Sequence, residues 1–289
     1  MSVHQHYAPL EVRTRWVAHT ILMLGVFVTL FPVWVTFVAS TLTPREIAQV
    51  PMQLWPGDEL IKNYTQALTQ GSRGTYLSPP ASTLLFNSLI VALVVTFGKI
   101  AVSLLSAFAI VFFKFPGRMF FFWMIFVTLM LPVEVRIVPT YQVVTDLGLI
   151  NSYTGLTLPL IASATATLLF RQFFLTIPDE LVEAAKIDGA GPMRFFWDVV
   201  VPLSRTNIAA LFVILFIYGW NQYLWPLLIT TSNQLDVIVV AIKKMIGTGA
   251  EPTDWHIVMA TTMLALLPPT LVIVLMQKSF VKGLTETEK

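Results

Sequence analysis

The feature that most constrains this chain is a set of six apolar runs, at about residues 16–40, 83–113, 119–141, 154–175, 206–230 and 257–277. Each is long enough to cross a hydrocarbon core about 30 Å thick, which takes roughly 20 helical residues. The expected fold is therefore an all-α polytopic membrane protein with six transmembrane helices. Composition agrees: 56% of the 289 residues are hydrophobic, only 12% are charged, and the mean hydropathy is +0.74. A soluble globular domain does not have that balance. A net charge of +2 gives no basis for binding nucleic acid. The absence of cysteine removes disulfides, thiolate catalysis and cysteine metal sites. His4, His6 and His19 have no partners at metal-ligand spacing, so no metal site is expected.

Charge sets the expected topology. Six spans place both termini on one side. With Arg136 and Arg171, near the ends of their runs, counted with the adjoining loops, eleven of the eighteen lysines and arginines lie on that side and six on the other, and Lys99 lies deep inside a span. The positive-inside rule then makes the termini cytosolic. This divides the chain into a cytosolic tail at 1–15, a membrane domain at 16–277 and a cytosolic tail at 278–289. The first run is too long for a signal-peptide core of about 7–15 residues, so it stays as a helix. Residues 41–82 carry Pro44, Pro51, Pro56-Gly57, Gly71, Gly74 and Pro79-Pro80, and form an extramembrane loop with a short helix near Leu60–Leu68. Pro268-Pro269 is expected to bend the last span.

The loop at 176–205 interrupts the apolar pattern with acidic and basic residues. Pro178 suits a first helical position, and Asp179 and Glu180 suit a helix N-terminus. That helix should end near Asp188, at Gly189-Ala190-Gly191, where glycine tolerates left-handed backbone. Pro192 starts a second helix that ends before Pro202. It carries Phe195, Phe196 and Trp197, three aromatics that a protein surface should cover.

These residues also resemble a known family. Glu183-Ala184-Ala185, then Gly189, then Val199-x-Val201-Pro202 looks like the EAA loop of ATP-binding-cassette importer permeases, with valine where the family usually has isoleucine and leucine. Phe170–Phe174, Trp220–Leu227 and Phe280–Leu284 resemble the maltose-type carbohydrate importers, and Asn63-Tyr64 and Asn87-Ser88 are weaker matches to them. Within that group, Thr128–Ile137 and Ala162–Thr167 are similar to the second permease subunit of glycerol-3-phosphate importers. The resemblance implies a type I importer membrane domain in a bacterial inner membrane, moving glycerol-3-phosphate or glycerophosphodiesters by alternating access. Its partners would be a homologous second permease, two ATPase subunits, a periplasmic substrate-binding protein and membrane lipid. It further implies that Glu183, Ala184, Ala185, Asp188, Gly189, Ala190, Phe195 and Phe196 couple this chain to an ATPase.

No Gly-x-x-x-x-Gly-Lys-Ser/Thr loop is present, so this chain is not itself the ATPase; the resemblance implies that ATP and Mg are bound by partner ATPase subunits. No His-Glu-x-x-His or Gly-x-Ser-x-Gly motif marks an enzyme. Ionisable residues within spans are costly and are functional candidates: here Lys99, Glu134 and Arg136. Lys99 shares a helical stripe with Ala92, Thr96, Ser103 and Ser106, which should face the bundle or a cavity. Glu134 and Arg136 follow Pro132, which can kink a helix. Lys99 lies 14 residues from Phe113, and Glu134 lies 15 from Met119. At helical rise both are about 21–23 Å from the cytosolic ends, close enough in depth to pair. Two readings stand: cations that receive a phosphate, or an ion pair that fixes helix register. Tyr218, Asn221 and Trp225 at helical spacing complete the expected substrate pathway, with an interfacial aromatic belt as the alternative. A permease for a neutral sugar, an ion-coupled secondary transporter and a membrane-embedded enzyme are the rival functions.

Overall fold

A computed structural model describes residues 8–74, 76–128, 131, 133–247 and 253–285, with the side chains of 8–15, 133–134 and 279–285 excepted. Among the described residues the structure is helical, without strands. Backbone polar groups in lipid have no water to bond, so this composition leaves helix as the open-chain solution.

Among the described residues, three unbroken helices are long and apolar enough to cross a membrane: Trp16–Ser40, Ala81–Phe112 and Trp255–Lys278. They lie within α1 (Ala8–Ser40), α4 (Ala81–Phe112) and α15 (Trp255–Thr285). α15 runs on through Pro268 and Pro269 without interruption. The other three expected spans are not single helices. Residues 119–141 divide into α5 (Arg118–Val127) and α6 (Val133–Asp146). Pro132, expected to kink this span, lies outside the described residues. Residues 154–175 form α7 (Tyr153–Thr157), a 3-10 turn at Leu158–Leu160 and α8 (Ala164–Phe174), bent by 46°. Ser163 caps α8 by accepting from the Ala166 amide, and this restart makes the bend. Residues 206–230 fall in α12 (Arg205–Trp220) and α13 (Leu224–Ile229), separated at Asn221–Tyr223.

The chain divides into two compact units. The first comprises residues 1–77 and 245–263. It holds α1, the one-turn α2 (Pro44–Ile47) and α3 (Leu60–Thr69), which covers the helix expected near Leu60–Leu68. Thr43 and Glu46 form a capping box that starts α2. Asn63 anchors α3 by donating to the carbonyls of Ser40 (3.0 Å) and Leu42 (2.9 Å), and the Tyr64 hydroxyl meets Ser40 Oγ at 3.0 Å. The Asn63-Tyr64 dipeptide is thus a structural joint.

The second unit comprises residues 78–244 and 264–289. Its centre is α4, which packs most extensively on α12 and α8. One buried core gathers Ile100, Leu104, Phe108, Phe170, Phe174 and Leu215. The small and polar stripe of α4 faces inward as expected: Ala92, Thr96, Lys99 and Ser103 are buried and Ser106 is half-buried. Gly219 of α12 sits against α4 so closely that a Cβ would lie 3.0 Å from Ala92 Cα and 3.2 Å from its carbonyl oxygen. Both neighbours are backbone and cannot rotate aside. Gly219→Leu is expected to cost about 1–3 kcal/mol, as overpacking does. Thermal unfolding of the purified chain in detergent measures it; an unchanged midpoint would contradict this packing.

Candidate functional site

Two sites take shape in the second unit. The first is the polar loop. Pro178 is the N-cap of α9 (Asp179–Ile187), not its first helical residue, because its backbone is extended. Asp179 and Glu180 occupy the first turn as expected. The C-terminus forms a Schellman motif: the Gly189 amide donates to Lys186 O (3.1 Å) and the Ala190 amide to Ala185 O (2.8 Å). Gly189 has φ +71°, which glycine adopts without steric cost.

The second loop helix passes beyond Pro202. α10 (Pro192–Phe195) runs into a π-turn at Phe196–Val200 and then α11 (Val201–Leu203). A proline in an α-helix lacks the amide for its i−4 carbonyl and collides with it. The wider π-turn just before Pro202 removes that conflict.

Burial corrects the expectation for the aromatics. Phe195 and Phe196 are buried by this chain itself. Their rings meet Phe112 at 5.3 Å and Phe108 at 4.9 Å, which joins the loop to α4. Within the chain they act as anchors, since two phenyl rings gain more from an apolar core than from water. Trp197 stays 61% exposed. Ile187 is 86% exposed and Met193 52%, so these two and Trp197 are the most exposed large apolar side chains of the loop. Sequence reading missed Ile187 and Met193. The available signal was i,i+4 spacing, which puts Ile187 on the face of Glu183 and opposite the half-buried Val182 and Ala185. Glu183, Ala184, Asp188 and Gly189 are exposed, and Ala190 is half-buried. Among the described residues neither Glu183 nor Asp188 has an ion-pair partner.

The second site is a cavity of about 190 Å³ lined by Lys99, Arg136, Thr140, Tyr218, Gln222 and Trp225, together with apolar residues. Lys99 reaches it from α4 with Nζ 3.7 Å from the centre of the Tyr218 ring, a cation–π contact. Arg136 enters from α6 and is largely exposed. Trp225 is buried, and its indole Nε1 donates to Gly155 O at 3.1 Å. Among the described residues no carboxylate lines the cavity. The Glu134 side chain lies outside the described residues, so its expected pairing with Lys99 is not placed.

Asn221 does not line this cavity; Gln222 does, with Tyr218 and Trp225. Helical spacing fails here because α12 ends at Trp220 and Asn221 is its C-cap. Residues 221–223 are not helical, so the 100° step no longer predicts direction. Thr140 was also missed; it lies one turn beyond Arg136, and its hydroxyl donates to Arg136 O at 2.7 Å.

A chain of apolar helices, with three broken spans around a cavity lined by cations and a capped polar loop held to the same core, is a multi-pass membrane permease rather than an enzyme. It belongs to the family described as binding-protein-dependent transport system inner membrane component, which its residues 99–286 match. A component of such an import system works with an ATPase and a substrate-binding protein. The chain is 60% identical to the "sn-glycerol-3-phosphate transport system permease protein UgpE" of Agrobacterium fabrum, covering 95% of this chain and 97% of that one. The protein of the same name from Yersinia enterocolitica is 57% identical, over 94% and 96% of the two chains. Among solved structures, a chain from a bacterial ABC transporter involved in the import of the acidic polysaccharide alginate matches with a TM-score of 0.82. It is 21% identical and covers 96% of this chain and 100% of that one, a likeness of fold.

Proposed function

We propose that this chain is the permease through which sn-glycerol-3-phosphate, or a glycerophosphodiester, crosses the inner membrane by alternating access. The observation that carries the reading is the identity of 57–60% with permeases of that name, along more than nine-tenths of each chain. The cavity suits it chemically. Lys99 and Arg136 are like charges sharing one small space, and a phosphate between them turns mutual repulsion into two attractions. Arginine adds a planar fork of donors that matches phosphate oxygens. Tyr218 and Trp225 offer apolar faces to the glycerol carbons.

The rest of the assembly follows the family's logic. Two ATPase subunits hold the ATP and Mg, a second homologous permease completes the passage, and a periplasmic protein delivers substrate. Both termini lie in the cytosol with the loop at 176–205. That loop meets an ATPase through Glu183, Ala184, Asp188 and Gly189, with Ile187, Met193 and Trp197 as its apolar contacts.

Reconstitution of the whole complex in proteoliposomes with ATP inside tests the substrate. Saturable uptake of radiolabelled sn-glycerol-3-phosphate is expected, displaced by glycerophosphodiesters and unaffected by maltose. Uptake of a neutral sugar with none of the phosphate ester would overturn the assignment.

A further inference from the structure

Next to the cavity lies a buried polar assembly that the chemistry of a phosphate passage does not call for. Asn87 of α4 is 1% exposed, and its amide uses both ends. Nδ2 donates to the carbonyls of Gln234 (2.8 Å) and Asp236 (3.0 Å), while Oδ1 accepts from the Tyr153 hydroxyl at 2.6 Å. Asp236 is fully buried, and Lys244 of α14 (Ile238–Ile246) holds both its carboxylate oxygens, at 2.9 and 2.8 Å. The Thr230 hydroxyl, at the end of α13, donates to the same carboxylate at 3.1 Å. One connected network therefore ties α4, α7, α13 and α14 together.

Asn87 precedes Lys99 by 12 residues on α4, about 18 Å along the axis, so it does not touch the cavity itself. The network reaches the cavity through α13. That helix has only six residues and stands between the break at Asn221–Tyr223 and the loop that starts at Thr230. A helix so short has little stability of its own. Its position, and with it the placing of Leu224 and Trp225 in the cavity wall, depends on what holds its ends. Tyr153 and Gly155 of α7 contribute twice: the Tyr153 hydroxyl bonds Asn87, and the Gly155 carbonyl accepts from Trp225. A fully satisfied network in a low-dielectric interior is stiff, because every bond that opens leaves a buried group unpaired.

We propose that Asn87, Tyr153 and the Asp236–Lys244 pair are positioning residues for transport, a clamp that keeps α13 seated in the cavity wall. The proposal rests on reading the cavity as part of the passage, but not on the identity of the substrate. A chain without cysteine makes the test direct. In the whole complex, Leu224→Cys reports α13 through its rate of labelling by a small charged thiol reagent, with no substrate present. Adding Asn87→Ala is expected to change that rate at least fivefold. In the complex without Leu224→Cys, Asn87→Ala is expected to lower maximal uptake per assembled complex at least tenfold. Tyr153→Phe removes one hydroxyl and should move both readouts in the same direction by less, and the double variant should be no worse than Asn87→Ala alone, as for parts of one unit. Should Asn87→Ala not assemble, Tyr153→Phe carries the test. Unchanged labelling and an unchanged rate per complex, with only the yield reduced, would make the network mere support and overturn the proposal. Failure of the passage reading shows elsewhere, as unaltered uptake in both Lys99→Met and Arg136→Ala with labelling still sensitive to Asn87→Ala.

Discussion

Gly189→Asp is expected to abolish transport, by at least a hundredfold, while the chain still inserts and folds. The structure separates the two effects. A Cβ at Gly189 meets nothing within 4 Å, so the substitution creates no clash inside the chain. The left-handed φ of +71° costs an ordinary L-residue roughly 1–2 kcal/mol, and aspartate is among the residues that bear it best. What changes is the outward surface of the turn, where a second carboxylate appears beside exposed Asp188. If an ATPase closes on this turn, the added bulk and charge prevent the contact, and substrate-stimulated ATP hydrolysis falls with uptake. Gly189→Asn adds similar bulk without charge and should retain more activity. Complex yield, uptake and hydrolysis measured together decide the matter. Normal stimulated hydrolysis in Gly189→Asp would show that the turn is not at the coupling contact. Glu183→Ala should weaken coupling only modestly, because an exposed pair contributes little.

Lys99→Met should separate stability from transport in the opposite sense. Lys99 is 6% exposed within a span, where a charge is costly to keep. Methionine retains the hydrocarbon stem without the charge, so the complex should be as stable as the parent or more so. Uptake of the phosphate ester should nevertheless fall at least tenfold, equivalent to about 1.4 kcal/mol of lost attraction for the anion. Arg136→Ala should reduce uptake at limiting substrate by a smaller factor, since Arg136 is the more exposed of the two cations and is better screened. Initial rates per assembled complex across a substrate series make the comparison. If neither substitution alters uptake, the cavity cations have no part in the passage.

Much of this protein could be read from residue order alone. Long apolar runs dictate helices in a membrane, because lipid offers the backbone no other partners, and the runs near α1, α4 and α15 became such helices. The inward stripe of α4 followed from period 3.6, which holds wherever a helix is unbroken. The glycine turn after Asp188 was legible because a helix end has local chemistry. The tertiary structure alone decided the breaks. Whether residues 206–230 form one helix or two depends on bonds from distant residues, such as the Asn151 amide to Ile229 O at 2.9 Å and Trp225 to Gly155. The same holds for the site. Residue order marked Lys99 and Arg136 as charges out of place, but their sharing of a cavity with Tyr218 and Gln222 arises because α4, α6 and the end of α12 all reach one cavity. It marked Phe195 and Phe196 as apolar, but which surface covers them is settled by where α4 runs. Periodicity and caps act over a few residues and are written locally, whereas burial, ion proximity and helix breaks depend on contacts between segments far apart in the chain.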